Sequence, residues 1–390
     1  MVSKISVIAI LLMLVIHSCK TGVYDMNFTI ESNKFPSLPS FDSLEVQPGL
    51  AGAVCGLISD ELVVAGGSNF PDSLPWLGGT KTYYDDVYCY RLNGSDSSWK
   101  VSELKLPEPL AYSACISMNN LIYSIGGENS EGLSSKVFSI SKKDDGFVLS
   151  EQTALPKPVS NAGIAFVGNT IYLVGGSGLD GAVSDFYSAN EQDTVFSWER
   201  LPDLPQALSS PVVVSQWDGK EACIYVLGGR NKTGRLSTFY SAIWKYSPSS
   251  KEWNKVGDIK SDAGEPVTLA AGCGAAFDKH YIFLFGGDNG VLYNKTEDFI
   301  YRIAEESDAE VKRTLNEEKI AHLTDHPGFC RDIIVFNTLT NQCATVGETP
   351  SAAQVTTSVV RNGNRYFIPN GEIRPGVRTP EVTQLIITKQ

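Results

Sequence analysis

Apolar residues along this chain fall into short runs separated by turns, and one run recurs. ELVVAGG (61–67), LIYSIGG (121–127), TIYLVGG (170–176), CIYVLGG (223–229) and YIFLFGG (281–287) are rich in β-branched and aromatic residues and stop at a pair of glycines. RYFIPNG (365–371) is a sixth copy, with Asn370-Gly371 in place of the pair. Apolar runs this short, bounded by glycine, predict strands rather than helices. Another apolar segment precedes each copy, as at 162–167 and 211–216. A third follows: DVYCY from Asp86, KVFSI from Lys136, DFYSA from Asp185, AIWKY from Ala242 and DIIVF from Asp332. A fourth often opens with tryptophan (Trp99, Trp198, Trp253), with Phe147 and Cys343 in its place elsewhere.

Four short strands in a repeat of about 50 residues is the pattern of a kelch β-propeller blade. A lone four-stranded sheet cannot cover its own faces, so blades stack around an axis. The expected fold is all-β: a six-bladed kelch β-propeller in one domain over residues 27–390. The sixth repeat runs out after its third strand, at 381–388. Its fourth strand is expected from the N-terminal side, at 27–33, because FPSLP (35–39) is similar to LPDLP (201–205), which directly follows the fourth strand of the third repeat. Closing the last blade with an N-terminal strand removes open sheet edges. The segments after the glycine pairs are loops between second and third strands, and all six crowd one mouth of the channel. Two are long, with 18 residues at 68–85 and 44 at 288–331, against 8 to 12 in the others. The longest is rich in Glu, Ala, Lys and Leu over 305–322, which predicts a helix within an insertion around 296–330. Long loops over one face build pockets, so function is expected at this mouth.

Composition fits one large all-β domain, with 35 glycines and 10% aromatic residues. A net charge of −12, with no Lys/Arg cluster longer than two, argues against a nucleic-acid partner. A hydrophobic content of 42% excludes intrinsic disorder. The first residues read as an address. Lys4 precedes an apolar run at 5–16 whose helical length, about 18 Å, falls short of the roughly 30 Å hydrocarbon core. Residues 1–18 therefore read as a signal peptide. The exit, Ile16-His17-Ser18-Cys19, resembles a bacterial lipobox. It implies lipidation at Cys19, a tether over 19–26, and an exported lipoprotein of the periplasm or outer membrane that meets the membrane only through its lipid anchor. Cleavage after Ser18 with a free Cys19 is the alternative. The remaining seven cysteines are odd in number and contain no CxxC pair, so they demand no disulfide framework.

Several motifs carry less than their spelling suggests. GSGLDG (176–181) matches GxGxxG, but a third strand follows it where a dinucleotide site needs a helix. His322, His326 and Cys330 are spaced by four, yet Pro327 and Gly328 break the helix that would align them as metal ligands. The sequons at Asn27, Asn93, Asn231 and Asn294 would matter in a eukaryotic secreted protein, and the resemblance to a bacterial lipobox implies that they are accidental. The strongest local signal is NGEIRPGVRT (370–379), which departs from the repeat where a loop enters the mouth. It sets one carboxylate, Glu372, beside two guanidiniums, Arg374 and Arg378, around a Pro-Gly turn. That offers a proton acceptor next to a planar fork suited to a ligand carboxylate. The same residues would also serve as a solvated loop with an internal ion pair of little energetic value.

This decapeptide closely resembles the NGEx(K/R)PGxRT motif of N-acetylneuraminate epimerases, the kelch-type sialic acid mutarotases. AGGSNFPDSLPWLGGTKTYYDDVY (65–88) is similar to a loop of their cyclically permuted branch, and the likeness runs over roughly 35–388. The resemblance implies interconversion of the α and β anomers of N-acetylneuraminate or a related sugar acid, with no cofactor and no metal. It implies that Glu372 accepts the proton and that Arg378 is also required. Here the motif stands in the last blade rather than mid-chain, so the blade order is rotated. Arg374 and Asn370 are further candidates for binding the sugar acid, and Asn69, Glu128, Arg230 and Asp288, which open the other mouth loops, complete the expected pocket. Two other readings stay open: a non-catalytic kelch lipoprotein that binds a glycan or protein, and a copper radical oxidase. The second would need clustered His and Tyr ligands, while His280, His322 and His326 are the only histidines after the signal.

Overall fold

The computed structural model describes residues 26–40, 47–94, 98–144, 146–192 and 196–390. The expected signal peptide at 1–18, the expected lipidation site Cys19 and the expected tether as far as residue 25 lie outside the described residues. Blade one is an antiparallel sheet of Val54–Ile58, Glu61–Ala65, Asp86–Arg91 and Trp99–Lys105, in that spatial order from the axis outward. The same succession restarts from inner strands at Ala114–Met118, Gly163–Val167, Val212–Trp217 and Cys273–Phe277. The second strands are buried throughout, as in Glu61–Ala65 and Tyr281–Phe285, or at all but their first residue, because neighbouring blades cover both faces. This is why they read as continuous apolar runs rather than alternating ones. Between blades four and five, Tyr225, Leu227 and Ile243 pack against Ile282, Leu284 and Phe336.

Blade six consists of Val360–Asn362, Arg365–Pro369 and Val382–Lys389, closed by Phe28–Lys34 as its outermost strand. The register runs from Phe28 opposite Lys389 to Lys34 opposite Thr383. The ring is therefore sealed by the N-terminal strand, one residue further along than the sequence pattern suggests. The likeness of FPSLP to LPDLP has a structural cause. The Trp99 indole N–H donates to the Pro36 carbonyl at 2.9 Å, as Trp253 does to Pro202, also at 2.9 Å. Each latches a fourth strand to the segment that follows the preceding blade's fourth strand. The glycine pairs are required by close approach. A Cβ on Gly126, whose φ is +66°, would lie 2.3 Å from the Val159 carbonyl oxygen of the next blade.

Just before each inner strand the chain turns through a left-handed residue: Gly52, Tyr112, Asn161, Ser210, Ala271 and Thr356, with φ between 53° and 67°. Their backbones form a closed belt. Each N–H donates to the equivalent carbonyl of the preceding blade, and Gly52 completes the circle on Thr356, at 2.7–3.0 Å. Above the belt, the residue after each glycine pair is bridged to the strand-entry segment beside it. These six are Ser68, Glu128, Ser177, Arg230, Asp288 and Glu372. The 44-residue loop carries two helices rather than one, α1 (Val291–Glu305) and α2 (Ala309–Thr324). The break falls at Asp308, whose carboxylate caps α2 by accepting from the N–H groups of Glu310 and Val311.

Candidate active site

NGEIRPGVRT folds into a small ribbon in which Glu372 is paired across from Arg378, with the Pro-Gly turn between them. The register fixes the chemistry, because opposite residues of an antiparallel pair share a face. Arg378 Nη1 lies 3.2 Å from Glu372 Oε1, and the Gly376 N–H donates to that same oxygen at 2.6 Å. The Glu372 side chain keeps 16% of its surface and Arg378 only 4%, so the pair is sheltered yet reachable at its acidic end. Burial pushes the Glu372 carboxyl above its ordinary range, with Asp288 adding to the rise, while Arg378, the Gly376 N–H and Lys81 oppose it. A carboxyl group raised in this way accepts and returns a proton more readily than an ordinary carboxylate.

The rest of the site comes from other blades. Arg378 Nη2 donates to the Tyr112 hydroxyl at 3.3 Å, and Ser68 Oγ donates to the same hydroxyl at 3.2 Å. The guanidinium also sits 4.9 Å from the centre of the Phe70 ring. Its Nε and Nη1 are buried and make no hydrogen bond among the described residues, the Nη1 contact with Glu372 being an ion pair without hydrogen-bond geometry. Buried donors of a charged group left in this state cost about 1–3 kcal/mol, which a ligand oxygen would recover. Lys81 stands 5.0 Å over the Tyr112 ring and bonds Glu128 at 3.3 Å, where the Tyr83 hydroxyl also donates at 2.8 Å. The short helical turn Pro75–Leu77 packs over the motif, and a Cβ on Gly376 would lie 2.7 Å from Pro75 Cδ. On the far side, Arg230 stacks on Tyr293 of α1 at 4.8 Å. Asp288 accepts from the Gly290 N–H at 2.8 Å, and burial raises its carboxyl as well. Below the belt the axis opens into a channel cavity of about 440 Å³, lined by the inner strands and reaching Tyr112. Cys55, Cys115 and Cys273 face this channel, and the seven described cysteines carry free thiols.

The structure thus gathers Glu372, Arg378, Glu128, Arg230 and Asp288 around one mouth. Three other candidates stand elsewhere. Asn69 is 1% exposed, donating to the Gly49 carbonyl and accepting from the Tyr84 hydroxyl. Its neighbour Ser68 holds the mouth position equivalent to Glu128, because adjacent strand residues point opposite ways. Asn370 is fully buried and takes the left-handed conformation (φ 58°) of the first glycine in the pair, which asparagine tolerates. Its amide atoms make no hydrogen bond among the described residues. Arg374 is exposed and donates to the Thr324 carbonyl at the end of α2, tying the insertion to the motif. His322 Nε2 is held by Thr296 and the Leu292 carbonyl, and His326 Nδ1 accepts from the Gly328 N–H. Both histidines therefore serve the packing of the insertion. Sequence reasoning missed Tyr112, Ser68, Lys81 and Phe70. The signal for Tyr112 was available: it is the one large residue at a place where the other repeats carry Gly, Asn, Ser, Ala or Thr.

These contacts define a β-propeller whose mouth holds a sheltered carboxyl group, a guanidinium with unfilled donor capacity and a hydroxyl beside them. The N-acetylneuraminate epimerase family model matches residues 153–390, more than half of the chain, and the chain belongs to that family. An N-acetylneuraminate epimerase of Salmonella typhi is 28% identical over 158 residues, 40% of this chain and 39% of the relative. One of Brucella suis is 37% identical over 120 residues, 28% of this chain and 30% of the relative. The matched segments thus span well under half the length of these relatives. The family match begins after blade two, so Ser68, Lys81, Tyr112 and Glu128 lie outside it.

Proposed function

We propose that this protein is a mutarotase that interconverts the α and β anomers of N-acetylneuraminate or a closely related sugar acid. Ring opening of such a sugar removes the proton of the anomeric hydroxyl as the bond from the anomeric carbon to the ring oxygen breaks. Rotation of the freed carbonyl and reclosure then give the other anomer. Glu372 takes that proton on opening and returns it on closure. Arg378 grips the substrate carboxylate through the donor capacity that its ion pair with Glu372 and its bond to Tyr112 leave unfilled. The observation that carries this reading is the Glu372–Arg378 pair itself, with the carboxyl group 16% exposed and the guanidinium short of hydrogen bonds. The name of the relatives supports the choice of sugar. One positioned acid/base group contributes about 10²–10⁴-fold, which is adequate for a reaction that already proceeds in water. Export with a lipid on Cys19 belongs to the same proposal and is checked by the mass of the mature N-terminal peptide.

The test follows anomer exchange of freshly released α-N-acetylneuraminate by NMR, with and without protein. Wild type should accelerate exchange, and Glu372→Gln should bring it close to background. An undiminished rate in that variant would remove Glu372 from the chemistry. No acceleration by wild type would defeat the assignment of this sugar.

A further inference from the structure

We infer that Tyr112 is the second proton-transfer group of this site, delivering a proton to the ring oxygen while Glu372 removes one from the anomeric hydroxyl. The inference rests on the mutarotase reading above and goes beyond the acid–arginine pair.

Four independent features converge on this side chain. Tyr112 is the one bulky residue in the six-membered belt, and it holds a left-handed conformation, φ 57°, that bulky residues avoid. Such strain costs on the order of 1–3 kcal/mol and persists where the surroundings enforce it. The enforcement is visible next door: a Cβ on Gly52 would lie 2.6 Å from Tyr112 Cδ1, so the neighbouring blade keeps a glycine where the ring must pass. The conformation lifts the ring out of the belt toward the mouth. There its hydroxyl accepts from Arg378 Nη2 at 3.3 Å and from Ser68 Oγ at 3.2 Å. Both acceptor positions of the oxygen are then used, and the phenolic proton is left for a ligand. Arg378 and Lys81, the latter 5.0 Å over the ring, set two positive charges beside any phenolate that forms. The other charged groups around it are Glu372, paired with Arg378, and Glu128, paired with Lys81.

The step balances. The Glu372 carboxylate takes the anomeric O–H proton, and that O–H electron pair becomes the carbonyl π bond. The bond from the anomeric carbon to the ring oxygen breaks with its pair moving to that oxygen, which takes the Tyr112 proton. After the carbonyl turns, the phenolate reclaims the proton from the attacking hydroxyl, and the Glu372 acid protonates the former carbonyl oxygen. Enzyme and sugar are unchanged in composition, and no oxidant or co-reactant enters.

The experiment compares wild type, Tyr112→Phe, and protein carrying 3,5-difluorotyrosine at position 112, in the NMR exchange assay across pH and in calorimetric titration with N-acetylneuraminate. The phenylalanine variant keeps the ring over which Lys81 sits and loses only the hydroxyl. We expect kcat to fall by about 10²-fold or more with Kd within a few-fold. With 3,5-difluorotyrosine, whose phenol is the stronger acid, kcat should depart from wild type while Kd again stays within a few-fold. A wild-type kcat in Tyr112→Phe, or a kcat that fluorination leaves unchanged, overturns the inference. A loss confined to Kd also overturns it, because Tyr112 would then only position Arg378. If wild type itself fails to accelerate exchange, the mutarotase reading falls, and this inference with it; an active wild type with an indifferent Tyr112 sinks this inference alone.

Discussion

Replacing Arg378 separates its charge from its geometry. Nη1 stands 3.2 Å from Glu372 Oε1 in a setting where the guanidinium is 4% exposed. At an effective dielectric constant near 20, two unit charges at that distance attract by about 5 kcal/mol. This agrees with the roughly 3–5 kcal/mol lost when one partner of a buried ion pair is removed. Arg378→Met keeps the length of the side chain and deletes the charge. The Glu372 carboxyl, already raised by burial, then loses the cation that holds it down, and its pKa rises further. A base works only when deprotonated, so the acid limb of the rate profile must move to higher pH. The grip on the substrate carboxylate is lost as well. Charge-assisted hydrogen bonds are worth about 1.5–3 kcal/mol each, so kcat/KM at neutral pH should fall by at least about 10²-fold. Arg378→Lys keeps a cation beside Glu372 and loses the planar fork. It should leave the acid limb near its wild-type position while KM rises about tenfold. The assay is NMR anomer exchange from pH 4 to 9, at least four substrate concentrations per pH, with circular dichroism to verify folding. An Arg378→Met profile whose acid limb coincides with wild type would refute the coupling of guanidinium to carboxyl.

Two further perturbations test neighbouring parts of the argument. Asp288 pushes the Glu372 carboxyl upward, so Asp288→Asn should ease that repulsion, lower the pKa of Glu372 and extend activity to lower pH, as read from the acid limb of the same assay. An acid limb displaced upward instead would show that Asp288 does not act on Glu372 through its charge. Phe28, on the closing strand, meets the rings of Phe277, Tyr281 and Phe283 at 4.9–5.4 Å. Because it is only half-buried, Phe28→Ala should cost about 2 kcal/mol, below the roughly 3–5 kcal/mol of a fully buried phenylalanine, measured by urea denaturation. A variant as stable as wild type would mean that the N-terminal strand contributes little to holding the ring shut.

The architecture was legible because a propeller is written locally. Each blade must bury its second strand on both faces and pass its neighbour at a left-handed turn, so every repeat carries an apolar run that ends in a glycine pair, as at 61–67 and 281–287, or in Asn370-Gly371 in the sixth. The closing strand at Phe28–Lys34 was readable for the same reason, since the Pro36 carbonyl serves Trp99 just as Pro202 serves Trp253. The break between α1 and α2 was less legible, because composition over 305–322 favours helix without marking the cap at Asp308.

For the site, the residues themselves announced one element and concealed the others. Glu372 and Arg378 sit on the two arms of one turn, so six positions of sequence were enough to bring a carboxylate and a guanidinium together. Tyr112, Ser68 and Lys81 come from other blades, and Tyr112 lies 266 residues from the arginine it touches. Asn69 and Ser68 show how fine the distinction is: one step along a strand turns a side chain from the mouth into the scaffold. Local physics, meaning strand periodicity, glycine conformation and turn chemistry, determined the blades and the acid–arginine ribbon. Which side chains face that ribbon was decided only by closing the ring, because ring closure alone brings residues from separate blades to one axis.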